Sequence, residues 1–214
     1  MVGFVISLFW LGVVVARAFG RKASFSLAPL GFRRPEGGLL AGVGLGVAVG
    51  LGAIVVSVIV NPISVLVLDS LGYSTESTVQ QPFMRGLVGW VETNPAAAIP
   101  AILLVVVGFG PAVEELVFRG ALFNGLNRLA TLVSPKTIGT VSFVLSALVS
   151  SALFALLHLE PVLLPAILIL AFALCALFWR TGSLLPPFVA HATFNSFATS
   201  LIVLNGLGVF ELPM

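Results

Sequence analysis

The sequence is short of charge. Only 8% of its 214 residues are Asp, Glu, Lys or Arg, against about 25% in soluble globular domains. So little charge cannot keep a globular surface wet, which excludes a soluble enzyme and a disordered chain. Ten basic residues against eight acidic ones leave a net charge of +2, too small for a phosphate-tracking surface, so no nucleic-acid partner is expected. A single cysteine, Cys175, excludes an intramolecular disulfide framework and any cysteine-based metal cluster. No basic residue precedes the first apolar run; Arg17, Arg21 and Lys22 follow it instead. A cleaved secretory signal carries its positive charge in front, so this run is expected to be a retained helix.

What the sequence has in abundance is apolar side chains, 59% of the total. A bilayer core needs roughly 20 apolar residues per helix. The qualifying runs cover about 2–16, 39–60, 96–113 continuing to 129, 140–158, 161–179 and 184–204. The expected fold is therefore all-α: a polytopic membrane helical bundle of about six transmembrane helices. Residues 1–94 form its N-terminal helices and a loop helix, and 95–204 form the helical core. Within the long connection at 61–95, Phe83, Met84, Leu87, Val88 and Val91 recur at helical spacing, which predicts a short interfacial amphipathic helix covering the bundle. Glycines at 42, 46 and 50 have the small-xxx-small spacing that lets membrane helices pack closely.

The charges are distributed unevenly. Arg17, Arg21, Lys22, Arg33, Arg34, Arg128, Lys136 and Arg180 fall in connections that share one side if six helices alternate. Asp69, Glu76, Glu92, Glu160 and Glu211 fall on the other, with Arg85. Basic loops stay cytoplasmic, so both termini are expected outside the cytoplasm, with Trp179 as an interfacial anchor. An integral multi-pass protein follows, in the plasma membrane if the source is prokaryotic.

Ionisable groups inside apolar helices are costly and need a partner, a wet cavity or a function. Three clusters qualify. In Glu114-Glu115-Leu116-Val117-Phe118-Arg119, residues 115 and 119 are i and i+4 and can pair, Glu first as preferred. Glu114 points about 100° away and stays unpaired, which is what a general base requires; the whole cluster could equally be an interhelical tie. In Phe154-Ala155-Leu156-Leu157-His158, a histidine ends an apolar run, as a capped terminus or as a reacting group. In His191-Ala192-Thr193-Phe194-Asn195, an imidazole and a carboxamide share one helix face. The only two histidines in the chain thus fall in these clusters. Counting helical rise back and forward from the 129–139 connection puts Glu114 and His158 at similar depth. The same count places His191 nearer the basic face by roughly half a bilayer, a gap that helix tilt or an irregular stretch at 158–161 would have to close.

Glu-Glu-x-x-x-Arg, Phe-x-x-x-His and His-x-x-x-Asn, in that order on successive membrane helices, resemble the CPBP family. These are the CAAX-protease and bacteriocin-processing membrane endopeptidases, also called ABI, which include the type II CAAX prenyl endopeptidases. The likeness runs from about Pro95 to Ser200 and includes Phe118-Arg119-Gly120 and Thr181-Gly182-Ser183-Leu184. It implies an intramembrane endopeptidase in which Glu114 activates water with help from His158. His191 and Asn195 then form the oxyanion hole, and Glu115, Arg119 and Phe154 support them. The substrate would be a peptide or protein arriving from the membrane or the cytosol. Members of the family have also been classed as metallopeptidases. With no His-Glu-x-x-His in the chain, no cofactor is expected; zinc, if bound, would take Glu114, His158 and His191 as ligands and leave one position open. Two other classes compete: a non-catalytic immunity or scaffold protein whose polar clusters only tie helices, and a transporter with a proton relay. Relay groups normally extend across the membrane, whereas these gather in tight clusters.

Overall fold

The computed structural model describes residues 27–77, 79–133 and 138–211; the side chains at 131–133 and 138 are left out of the description. The anticipated first helix at 2–16 lies outside these residues, as does Lys136. After a 3₁₀ turn at Ala28–Leu30, α1 spans Leu39–Ser70 and α2 spans Gln80–Thr93. The third helix, α3, consists of five end-to-end stretches from Pro95–Ile102 to Asn124–Val133. Then follow α4 (Ile138–Leu156), α5 (Leu164–Thr181) and α6 (Leu185–Gly206). No strand occurs among the described residues. Among the described residues, five helices are long and apolar enough to cross a bilayer: α1, α3 over Pro95–Ala130, α4 over Gly139–Leu156, α5 and α6.

One boundary differs from expectation. The second apolar helix does not stop near residue 60 but continues through Pro62 to Ser70. Proline ends a helix in water, but in a membrane helix the missing N–H is tolerated when nearby side chains satisfy the backbone. Serines on either side of it bond within the same helix, Ser64 Oγ donating to Val60 O at 3.1 Å and Ser57 Oγ to Ile54 O at 2.8 Å, though neither reaches Val58 O, the carbonyl that Pro62 leaves without its donor. The apolar run Ile63–Leu68 then carries the helix on, and the long loop shrinks to 71–79. The amphipathic helix is present as α2, with Val88 and Val91 buried.

Close packing sets the topology. Gly42, Gly46 and Gly50 are buried along α1 and face α6. A Cβ on Gly46 would stand 2.7 Å from Pro186 O, and one on Gly50 2.6 Å from Ala190 O. Residue numbers rise together on both helices, so α1 and α6 run parallel, as an odd number of intervening membrane crossings requires. On one face of the bundle the segment before α1 meets the α5–α6 turn: Arg33 Nε donates to Gly182 O at 2.6 Å and Ser183 Oγ to Arg33 O at 2.6 Å. On the opposite face α2 crosses the end of α6, where a Cβ on Gly206 would lie 2.6 Å from Val91 Cβ.

Candidate active site

The acidic pair sits in α3 between two π-helical stretches, Leu103–Phe109 and Leu116–Phe123. Gly110-Pro111 gives neither a break nor a fresh helix start; the helix continues through it. Proline at 111 cannot donate to the preceding turn, and a Cβ on Gly110 would come within 2.9 Å of Val105 O, so the widened turn depends on these two residues. Wide turns disturb the backbone ladder, and side chains from neighbouring helices take up its carbonyls. Asn195 Nδ2 donates to Val106 O at 2.9 Å, and Ser150 Oγ to Phe118 O at 3.0 Å. Within α3 itself, Asn124 Nδ2 donates to Gly120 O at 3.2 Å. Single π-turns inside α-helices often mark functional sites.

The two glutamates have different environments. Glu115 is 1% exposed, and its Oε1 accepts from Arg119 Nη1 at 2.9 Å and from His191 Nδ1 at 2.8 Å. Arg119 is fully buried; its Nη2 donates to Ala171 O of α5 at 3.3 Å, and its guanidinium lies 4.5 Å from the centroid of the Phe154 ring. Glu115 and Arg119 therefore tie α3, α4, α5 and α6 together. Glu114 is 31% exposed, with Oε2 at 3.7 Å from His191 Nε2. Among the described residues, no guanidinium pairs with it. Arg119 thus pairs with Glu115, its i−4 neighbour, while Glu114 faces His191 instead.

The histidines are held by their Nδ1 atoms. A carbonyl can only accept, so the 2.8 Å contact between His158 Nδ1 and Phe154 O requires Nδ1–H and leaves Nε2 as the other functional end. His191 donates Nδ1–H to Glu115 and turns Nε2 toward Glu114. Phe154 stands between them, its centroid 4.7 Å from that of His158 and 5.8 Å from that of His191. The depth gap between the two histidines is thus bridged by one phenyl ring. α4 ends at Leu156, and the chain turns through His158 and Leu159, whose φ of 57° is left-handed. Asn195 lies one helical turn beyond His191 and contacts Val106 O, not the acidic pair. Val113, Val117, Phe118, Ile167 and Ala171 form an apolar wall around Phe154.

Glu160 is a residue whose place was not readable from the sequence, where it counted only as a charge on the acidic face. It is buried, accepting from Ser77 Oγ at 2.6 Å and from Gln80 N at 2.7 Å. Ser77 Oγ also accepts from the Gln80 and Gln81 amides. Together they cap the N-terminus of α2 and fasten it beside the turn that carries His158. The one available signal was its place next to Pro161 at a helix end.

Among the described residues, no three His, Cys, Asp or Glu side chains are grouped as ligands of one metal ion. His191 faces Glu114 with Nε2 and donates its Nδ1–H to Glu115. Glu114, His158 and His191, the residues named for zinc, are not grouped as one ligand set among the described residues.

No curated protein and no solved structure matches the chain. Residues 96–197, which hold every member of the cluster, match the family model described as type II CAAX prenyl endopeptidase Rce1-like. Through this stretch, a little under half of its length, the chain is similar to the Rce1-like type II CAAX prenyl endopeptidases.

Proposed function

We propose that the chain is a glutamate-dependent intramembrane endopeptidase in which Glu114 is the general base. The observation that carries this reading is the asymmetry of the pair: Glu115 is sealed against Arg119 and His191, while Glu114 is partly open beside His191 Nε2. Water bound between Glu114 and His158 Nε2 gives a proton to Glu114, and the hydroxide attacks the scissile carbonyl carbon. The developing oxyanion accepts from His191 when Nε2 carries a proton, and from the second N–H of the Asn195 carboxamide. Glu114 then passes its proton to the departing amine as the C–N bond breaks. Glu115 holds His191 at Nδ1, Arg119 balances the charge of Glu115, and Phe154 spaces the two imidazoles. The basic face is cytoplasmic by the distribution of Arg and Lys, and a CAAX-type peptide is the substrate class that the family suggests.

The helix-tie alternative accounts for Glu115 and Arg119, which do join four helices. It gives no reason for a second carboxylate, partly exposed, next to an imidazole. The test is cleavage of a prenylated CAAX peptide by the protein in proteoliposomes. The Glu114→Gln variant should lose about 10²–10⁴-fold in rate, the usual contribution of a positioned acid–base group. Full activity in Glu114→Gln would remove the base assignment.

A further inference from the structure

Just beyond His158 lies a buried carboxylate that the chemistry proposed for Glu114 does not use. Glu160 is 5% exposed, and its Oε1 accepts from Ser77 Oγ and from the Gln80 amide, partners 83 and 80 residues away in sequence. Its backbone carbonyl accepts from Leu163 N at 3.1 Å and Leu164 N at 3.0 Å, the amides at the start of α5. One residue thus fastens the His158 turn to α2 through its side chain and to α5 through its main chain.

The turn needs such an anchor. His158 lies past the end of α4, where the backbone has already tightened: His158 N donates to Ala155 O and Leu159 N to Leu156 O. Leu159 then adopts a φ of 57°, a conformation that is costly for a residue with a Cβ. Its side chain is exposed, so the packing of Leu159 does not hold it there. Strained backbone persists only where its surroundings fix it, and the fixed neighbour is Glu160. The His158 ring is tethered by Nδ1–H to Phe154 O at 2.8 Å, and the direction of that bond follows the turn.

We propose that Glu160 is a positioning residue for His158: by pinning the turn to the N-terminus of α2, it sets where His158 Nε2 points. The proposal rests on the role given above to His158 beside Glu114. It makes the seat of α2 a determinant of turnover as well as a cover on the bundle.

The test uses the full chain in detergent with isotope-labelled histidine. The sequence has only two histidines, so ring-nitrogen NMR gives two imidazoles, assigned with a His158→Gln sample. At mildly alkaline pH, where a free imidazole is neutral, His158 should show the Nδ1–H tautomer. Glu160→Ala should turn it into a mixture of both tautomers and leave the His191 signals in place. In the same variant, kcat per folded molecule for a prenylated CAAX peptide should fall on the order of 10²-fold, the cost of a misplacement of about 1 Å, with KM unchanged. Glu160→Gln keeps an oxygen that accepts from Ser77 and Gln80 and should recover most of both. Ser77→Ala, on the other side of the contact, should move the His158 signals in the same direction by less. Unchanged His158 signals in Glu160→Ala or Ser77→Ala, wild-type kcat in Glu160→Ala, or no rescue by Glu160→Gln would overturn the proposal. So would equal disturbance of His191, the mark of a general loss of fold. Full activity in Glu114→Gln would instead remove the base assignment and leave the ring signals as the separate test of Glu160.

Discussion

At the residue scale, Glu115 and Arg119 illustrate how a buried ion pair differs from a surface one. Removing one partner of such a pair leaves an uncompensated charge and costs about 3–5 kcal/mol. Arg119→Ala should therefore lower the yield of folded protein sharply, measured by monodisperse material on size exclusion; wild-type yield would contradict the buried pairing. The pair was readable in advance because i and i+4 residues of one helix meet whatever the fold. His191 was recognisable as a candidate, but its partner was not. Its bond to Glu115 joins residues 76 apart in sequence, and no local spacing encodes that. The side of the His158 ring that faces Phe154 O was equally unreadable, since it follows from the backbone turn at Leu159.

At the element scale, the helix contacts set clear expectations. Gly46 and Gly50 meet α6 backbone, whereas a Cβ on Gly44 would meet nothing within 4 Å. Gly46→Leu should thus cost at least the 1–3 kcal/mol typical of overpacking, while Gly44→Leu on the same helix should leave the melting temperature within a degree or two of wild type. Equal effects at both positions would contradict the α1–α6 packing. Glu160→Ala removes part of the α2 cap, a change worth about 0.5–2 kcal/mol, and should speed proteolysis within 71–79. The glycine spacing and the amphipathic pattern of α2 announced these contacts. The passage of α1 through Pro62 and the two π-helical stretches of α3 did not announce themselves. Proline signals a stop only where water competes for the backbone, and a π-turn arises from packing around the helix, not from its own periodicity.

At the scale of the whole molecule, parallel α1 and α6 place Arg34 and Tyr73 at opposite ends of α1 and on opposite faces of the bundle. Both residues are exposed, while the native Cys175 is buried. Cysteine introduced at 34 should react with an impermeant thiol reagent only from the cytoplasmic side, and cysteine at 73 only from the other; labelling of both from one side would contradict the topology. Low charge content made this architecture legible, because most charges fall in connections and few remain inside helices. Those few converge through contacts of α3, α4, α5 and α6 that only the folded bundle brings about. Whether Glu114 is the base and Glu115 its support is decided most directly by turnover measured side by side at equal concentrations of folded Glu114→Gln and Glu115→Gln protein. Glu114→Gln should fold at wild-type yield and cleave about 10²–10⁴-fold more slowly, while Glu115→Gln should lose yield but retain more activity per folded molecule. Equal activity in Glu114→Gln and wild type, or a reversed order between the two variants, would contradict it.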